Sequence, residues 1–151
     1  MKLLKRMVLA MVGSSLLVGT AAAEGDPVAG EKVFKRCATC HMVGPNAKKR
    51  IGPVLNDLFG RKAGTNEDFK YSPVMTALGE AGLVWNPEDF AGYVGDPRDW
   101  LTKKAKEMGL DCSKLRNCRN TMAFAGLKKQ EDIDDVVAFL LTHDKDGLAK
   151  Q

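Results

Sequence analysis

The chain has 151 residues, 44% of them hydrophobic and 28% charged, with a formal net charge of +4. That length leaves no room for two cores of ordinary size, so one domain is expected. The basic excess is no signature of nucleic-acid binding, because three of the 23 basic residues (Lys2, Lys5 and Arg6) fall in a predicted leader and the remainder face 19 acidic ones.

Those three cations precede an apolar stretch from Met7 to Val18, broken only by Gly13, Ser14 and Ser15, and Ala21-Ala22-Ala23 supplies small residues at the cleavage positions. This pattern predicts a signal peptide over 1–23, cleaved after Ala23, and a mature domain over 24–151 exported to the periplasm. An uncleaved anchor is the alternative, but the apolar run is short for a spanning helix.

Four prolines follow short polar residues: Asp26-Pro27, Ser72-Pro73, Asn86-Pro87 and Asp96-Pro97. A short polar side chain at the N-cap accepts a backbone N–H, and proline at the first helical position loses nothing, so each pair predicts a helix start. After the first, Gly30, Val33, Phe34 and Cys37 recur at i, i+3, i+4 and i+7. Cys37-Ala38-Thr39-Cys40-His41 comes next, a C-x-x-C-H sequence of the kind that attaches c-type haem. The two thiols add to the porphyrin vinyl groups, and the adjacent imidazole reaches the iron. A redox dithiol would need a βαβ setting, and half of a zinc site would need two further ligands at matched spacing.

Residues 42–71 hold Gly44-Pro45, Gly52-Pro53, Gly60 and Gly64 with only short apolar runs. So long a loop is uncommon unless something supports it, and a haem plate would. Beyond the Asp96-Pro97 start, Leu101, Ala105 and Met108 line one helix face while Lys103, Lys104 and Lys106 take the others, and Gly109 marks its stop. Cys112 and Cys118 follow; an even pair of spare cysteines in an exported protein predicts a disulfide. Ile133, Val136, Val137 and Leu140 repeat the helical spacing near the C-terminus. No segment alternates with period two, so the fold class is all-α.

Several motifs occur in order: Cys37 to His41, Gly52-Pro53-Val54-Leu55, Phe59-Gly60-Arg61-Lys62-Ala63-Gly64, Phe69-Lys70-Tyr71, Tyr93-Val94-Gly95-Asp96-Pro97 and Thr121-Met122-Ala123-Phe124-Ala125-Gly126-Leu127. The set resembles a class I cytochrome c of the bacterial cytochrome c2 type over nearly the whole mature chain. The resemblance implies N- and C-terminal helices crossing near Gly30, Phe34 and Phe139, around one haem c bound through Cys37 and Cys40. It implies His41 and Met122 as iron ligands, with His143 or an open position as the alternative to Met122. Pro53 would offer its carbonyl to the far nitrogen of His41; Arg61, Tyr71 and Trp85 would satisfy a buried propionate; Tyr93 would approach the Met122 sulfur and Phe124 would pack at the haem edge. The implied role is a soluble, monomeric carrier of single electrons between membrane redox complexes, from a quinol-oxidising complex to a photosynthetic reaction centre or terminal oxidase, rather than an enzyme. Docking would use a basic face carrying Lys35, Arg36, Lys48, Lys49, Arg50, Lys128 and Lys129. A haem enzyme or gas sensor is the other class, and it would need an open iron position.

Two departures from the family pattern stand out. Val54 occupies a position where asparagine is common, and 24 residues separate Pro97 from Met122.

Overall fold

The computed structural model describes residues 25–149, so the predicted leader and its cleavage after Ala23 lie outside the described residues. Five helices follow in order: α1 (Pro27–Phe34), α2 (Pro73–Glu80), α3 (Pro87–Gly95), α4 (Pro97–Glu107) and α5 (Gln130–Leu141). Two short 3₁₀ turns, Cys112–Lys114 and Arg116–Cys118, lie between α4 and α5. Among the described residues there is no β-strand, only the isolated bridges Lys62–Val84 and His143–Ala149. No described helix is long and apolar enough to cross a membrane.

Each polar-proline pair starts a helix. The side chains of Asp26, Asn86 and Asp96 accept from the N–H groups of Val28, Asp89 and Asp99 at 2.8, 2.8 and 3.0 Å, and buried Ser72 accepts from Met75 at 3.4 Å. Helix α5 has no side-chain cap, and Glu131 and Asp132 in its first turn meet the positive end of its dipole instead. Gly109, at φ +72°, terminates α4 one residue after its C-cap.

Helices α1 and α5 cross at backbone distance. A Cβ on Gly30 would stand 1.9 Å from the Asp135 carbonyl oxygen, so only glycine permits the approach. Phe34 and Phe139 meet one turn along, with ring centroids 5.3 Å apart. The buried Asp135 carboxylate accepts the Asp26 N–H at 2.7 Å, which ties the start of α1 to α5. The exposed Arg36–Asp132 pair at 3.4 Å adds little beside these contacts.

The long loop expected over 42–71 is more self-supporting than its composition suggests. The Asn56 side chain grips Gly44 at both backbone groups, 2.8 and 3.0 Å. Further bonds tie Gly52 to Cys40, Leu55 to Met42, Ala63 to Leu83 and Trp85 to Arg61. On Gly79 of α2, a Cβ would lie 1.8 Å from the Ala63 carbonyl, so helix and loop touch at the backbone.

In the segment between Pro97 and Met122, Leu101 and Ala105 are fully buried and Met108 is half-buried, as the helical spacing predicts. Of the lysines, Lys103 and Lys106 are exposed, whereas Lys104 folds onto Asp89 at 2.8 Å and Glu107 at 3.2 Å. Cys112 and Cys118 form the predicted disulfide. Arg116, Asn117 and Cys118 inside that loop all have left-handed backbone, at φ +53°, +54° and +52°. Three consecutive L-residues in this region cost about 1–2 kcal/mol each, and the bridge together with the burial of Cys118 holds them there.

Two stability outcomes follow. Gly30→Ala overpacks the α1–α5 crossing and lowers unfolding stability by about 1–3 kcal/mol in denaturant melts; an unchanged midpoint would mean the crossing is slack. Cys112→Ser/Cys118→Ser loses about 2 kcal/mol in the chain-entropy estimate for so short a loop, offset by whatever strain the left-handed turn releases. Mass spectrometry of the native protein without reductant should find no alkylatable thiol at either position.

Candidate functional site

The last turn of α1 does not stop at Phe34 but continues as a chain of tight turns. Cys37 N–H donates to the Phe34 carbonyl at 2.7 Å, and Cys40 and His41 donate to Cys37 at 3.0 and 2.9 Å. This winding sets Cys37, Cys40 and His41 on the wall of one cavity of about 380 Å³. Both cysteines are free and half-buried. Burial pushes the Cys37 thiol up, with the Arg36 cation opposing. No group of three or more His, Cys, Asp or Glu side chains able to hold a metal ion occurs among the described residues, so the further donors a zinc site needs do not join the two cysteines.

His41 Nδ1 lies 2.8 Å from the Pro53 carbonyl. A carbonyl only accepts, so Nδ1 carries the proton and Nε2 keeps its lone pair. Burial lowers the imidazole pKa, with the Pro53 bond opposing, and the ring is neutral at pH 7. Gly52 makes room for it: a Cβ there would stand 2.4 Å from His41 Cε1.

A second wall comes from α3 and the segment before α5. Tyr93 is buried, and its hydroxyl donates to the Met122 sulfur at 3.8 Å. Burial holds the phenol well above the ordinary tyrosine range, so it stays a donor. Its ring is fixed by Trp85 at 5.3 Å and by Trp100 at 5.5 Å, and the two tryptophans stack on each other at 5.6 Å. Met122 is half-buried and lines the cavity. His143 does not. Its Nδ1 contacts the Phe139 carbonyl at 3.0 Å and its ring packs on Phe139, outside the cavity wall.

The other sequence-derived positions also converge. Pro53, Arg61, Tyr71, Trp85 and Phe124 all line the cavity. The Arg61 guanidinium donates to the Val54 and Asn56 carbonyls at 3.2 and 3.3 Å. Val54 therefore contributes through its backbone, and the side-chain difference there removes nothing from the Arg61 contact. Burial lowers the Arg61 pKa, opposed by Tyr71 and Asp57, and the group remains a cation. Burial raises the Tyr71 pKa, against a hydrogen bond to the Asn66 backbone.

Three participants carry no obvious sequence signal. Met75 lines the cavity from α2, and Trp100 of α4 supports Tyr93 from behind. Asn120 hydrogen-bonds both the Tyr93 hydroxyl and the Met122 N–H. A short polar residue two positions before Met122 is a cue for an Asx turn, but nothing in the sequence points from it to Tyr93.

This combination of a C-x-x-C-H turn, a carbonyl-braced histidine and a tyrosine-capped methionine around one apolar cavity fits a c-type haem. No protein-family model matches the chain. Cytochrome c2 of Afifella marina is 46% identical over 125 residues, covering 82% of this chain and 88% of that protein. Cytochrome c2 of Blastochloris viridis is 37% identical over 147 residues, covering 97% of this chain and all of its own. The chain belongs to the cytochrome c2 family. The solved structure of Rhodospirillum centenum cytochrome c2 superposes with a TM-score of 0.71 at 40% identity, covering 80% of this chain and 99% of that one. The all-α cytochrome c fold is therefore that of the family, whose members are electron carriers with covalently bound haem c.

Proposed function

We propose that this cytochrome c2 is a soluble periplasmic carrier of single electrons with one haem c, bound through Cys37 and Cys40 and ligated by His41 and Met122. The observation that carries the reading is that His41 Nε2, left with a lone pair by the Pro53 bond, and the Met122 sulfur, held under Tyr93, belong to one cavity that both cysteines also line. When bound, haem supplies a reversible one-electron iron couple, and Met/His ligation favours a high potential.

The chain's own residues do the rest. Pro53 fixes the orientation and tautomer of His41 and strengthens its donation. Arg61 supplies a half-buried cation on the cavity wall, and Tyr71 and Trp85 supply donors, which together suit a propionate that would otherwise be costly to bury. With His41 and Met122 both holding the iron, no position would be left for substrate chemistry, and the apolar wall would keep water from the metal.

Lys35, Arg36, Lys48, Lys49, Arg50, Lys128 and Lys129 are exposed, and Arg36 among them lines the cavity. Ile51 stands among them at 74% exposure. We read this basic face as the docking surface for membrane redox complexes, a quinol-oxidising complex on one side and a photosynthetic reaction centre or terminal oxidase on the other. A cationic face orients the protein toward an acidic partner and raises the encounter rate.

The ligand assignment is tested with Met122→Ala. The wild-type oxidised protein should show the weak near-infrared band of sulfur–iron ligation, and the reduced protein should not bind carbon monoxide at neutral pH. The variant should lose the band and bind the gas; a band that survives assigns the ligand elsewhere, and wild-type binding of carbon monoxide favours the sensor class. Docking is tested by stopped-flow electron transfer to an acidic redox partner. Raising the ionic strength from 0.01 to 0.15 M shortens the Debye length from about 30 to about 8 Å, and the association rate should fall about tenfold or more. A rate indifferent to salt would remove electrostatic steering.

A further inference from the structure

Asn120 lies on the cavity wall, half-buried, between the buried and bridged Cys118 and Met122. Its carboxamide makes two contacts: Oδ1 accepts the Met122 N–H, and Nδ2 donates to the Tyr93 hydroxyl oxygen. The Met122 N–H can only donate, so Oδ1 must face it. Nδ2 is thereby committed to Tyr93, and the direction of that bond follows from the network.

The Tyr93 ring cannot turn to suit its partners. The stacked pair Trp85 and Trp100 packs against it, and α3, which carries it, is pinned to the Met122 segment by the Leu127 N–H to Val94 carbonyl bond at 2.8 Å. Only the hydroxyl hydrogen is free to choose. With one lone pair of the oxygen occupied by the Asn120 N–H, that hydrogen points away from Asn120, and the acceptor on its other side is the Met122 sulfur at 3.8 Å.

We propose that Asn120 is a positioning residue that aims the Tyr93 hydroxyl proton at the Met122 sulfur and so sets how strongly that sulfur donates to iron. The inference rests on the haem ligation proposed above. A hydrogen bond to the thioether withdraws electron density from the ligand and favours the reduced metal, so the arrangement raises the reduction potential. Asn120 need not touch the haem to do this.

The test is a double-mutant cycle on the full-length haem-loaded protein, read by redox titration. Asn120→Ser keeps an oxygen able to accept the Met122 N–H but loses the donor to Tyr93. It should lower the midpoint potential in the wild-type background and leave it unchanged in a Tyr93→Phe background, where no hydroxyl remains to aim. Should the serine variant not fold, Asn120→Asp serves. It keeps the acceptor, reverses the bond to Tyr93 and draws the proton off the sulfur, so the part of its shift exceeding that in Tyr93→Phe is the positioning effect. Equal shifts in both backgrounds, or no shift in either, would overturn the proposal. The near-infrared sulfur–iron band of the parent protein separates the two levels: its absence defeats the Met122 assignment, whereas its presence with an additive cycle defeats only the role of Asn120.

Discussion

The rest of the fold hangs on the contact between Gly30 and the Asp135 carbonyl. Helix α1 is eight residues long and α5 twelve, and helices this short are marginal in isolation. They persist because they meet close enough for the Phe34 and Phe139 rings to touch and for Asp135 to receive the Asp26 N–H. That crossing joins the first and last described helices and closes the residues between them into a single loop. The turn carrying Cys37, Cys40 and His41 grows directly out of α1, so the position of the histidine is inherited from the crossing rather than from the loop that follows.

Within the closed loop, the chain is arranged around a cavity instead of packing into it. Helices α2 and α3, the 42–71 loop and the Met122 segment each present an apolar edge to the same space. Polar groups on that wall have local partners: His41 with Pro53, Arg61 with the Val54 and Asn56 carbonyls, and Tyr93 with Asn120 and Met122. Polar groups held in this way change little when a large apolar group enters, which is the structural form of low reorganisation. The segment between Pro97 and Met122 contributes from behind, through Trp100 stacked on Trp85 and through the buried Cys118.

Much of this was readable from the chain alone where chemistry is local. Asp26, Ser72, Asn86 and Asp96 each make the helix cap that a short side chain before proline implies, and C-x-x-C-H and the even cysteine pair carry their meaning in their spacing. What was not readable depends on contacts across the fold. The 42–71 loop looked unsupported because the bonds that hold it, such as Asn56 to Gly44, join residues whose identities are ordinary. Lys104 lies off the apolar face of its helix, and nothing in that spacing shows that the approach of α3 brings Asp89 to it. Asn120 and Trp100 act on Tyr93 from 27 and 7 positions away, and no periodicity reports such pairs.

The bridge between Cys112 and Cys118 has a consequence far from where it sits. In the unfolded chain, four thiols can be paired in three ways. Joining Cys112 to Cys118 closes a loop of six positions, whereas any mixed pair with Cys37 or Cys40 must close one of 72 to 81 positions. A loop roughly twelvefold longer costs about 2 kcal/mol more to close, so the nearby partner wins by more than an order of magnitude while the chain is still unfolded. The spare cysteines thus remove each other from competition, and the two thiols of the C-x-x-C-H turn remain unscrambled for their own chemistry.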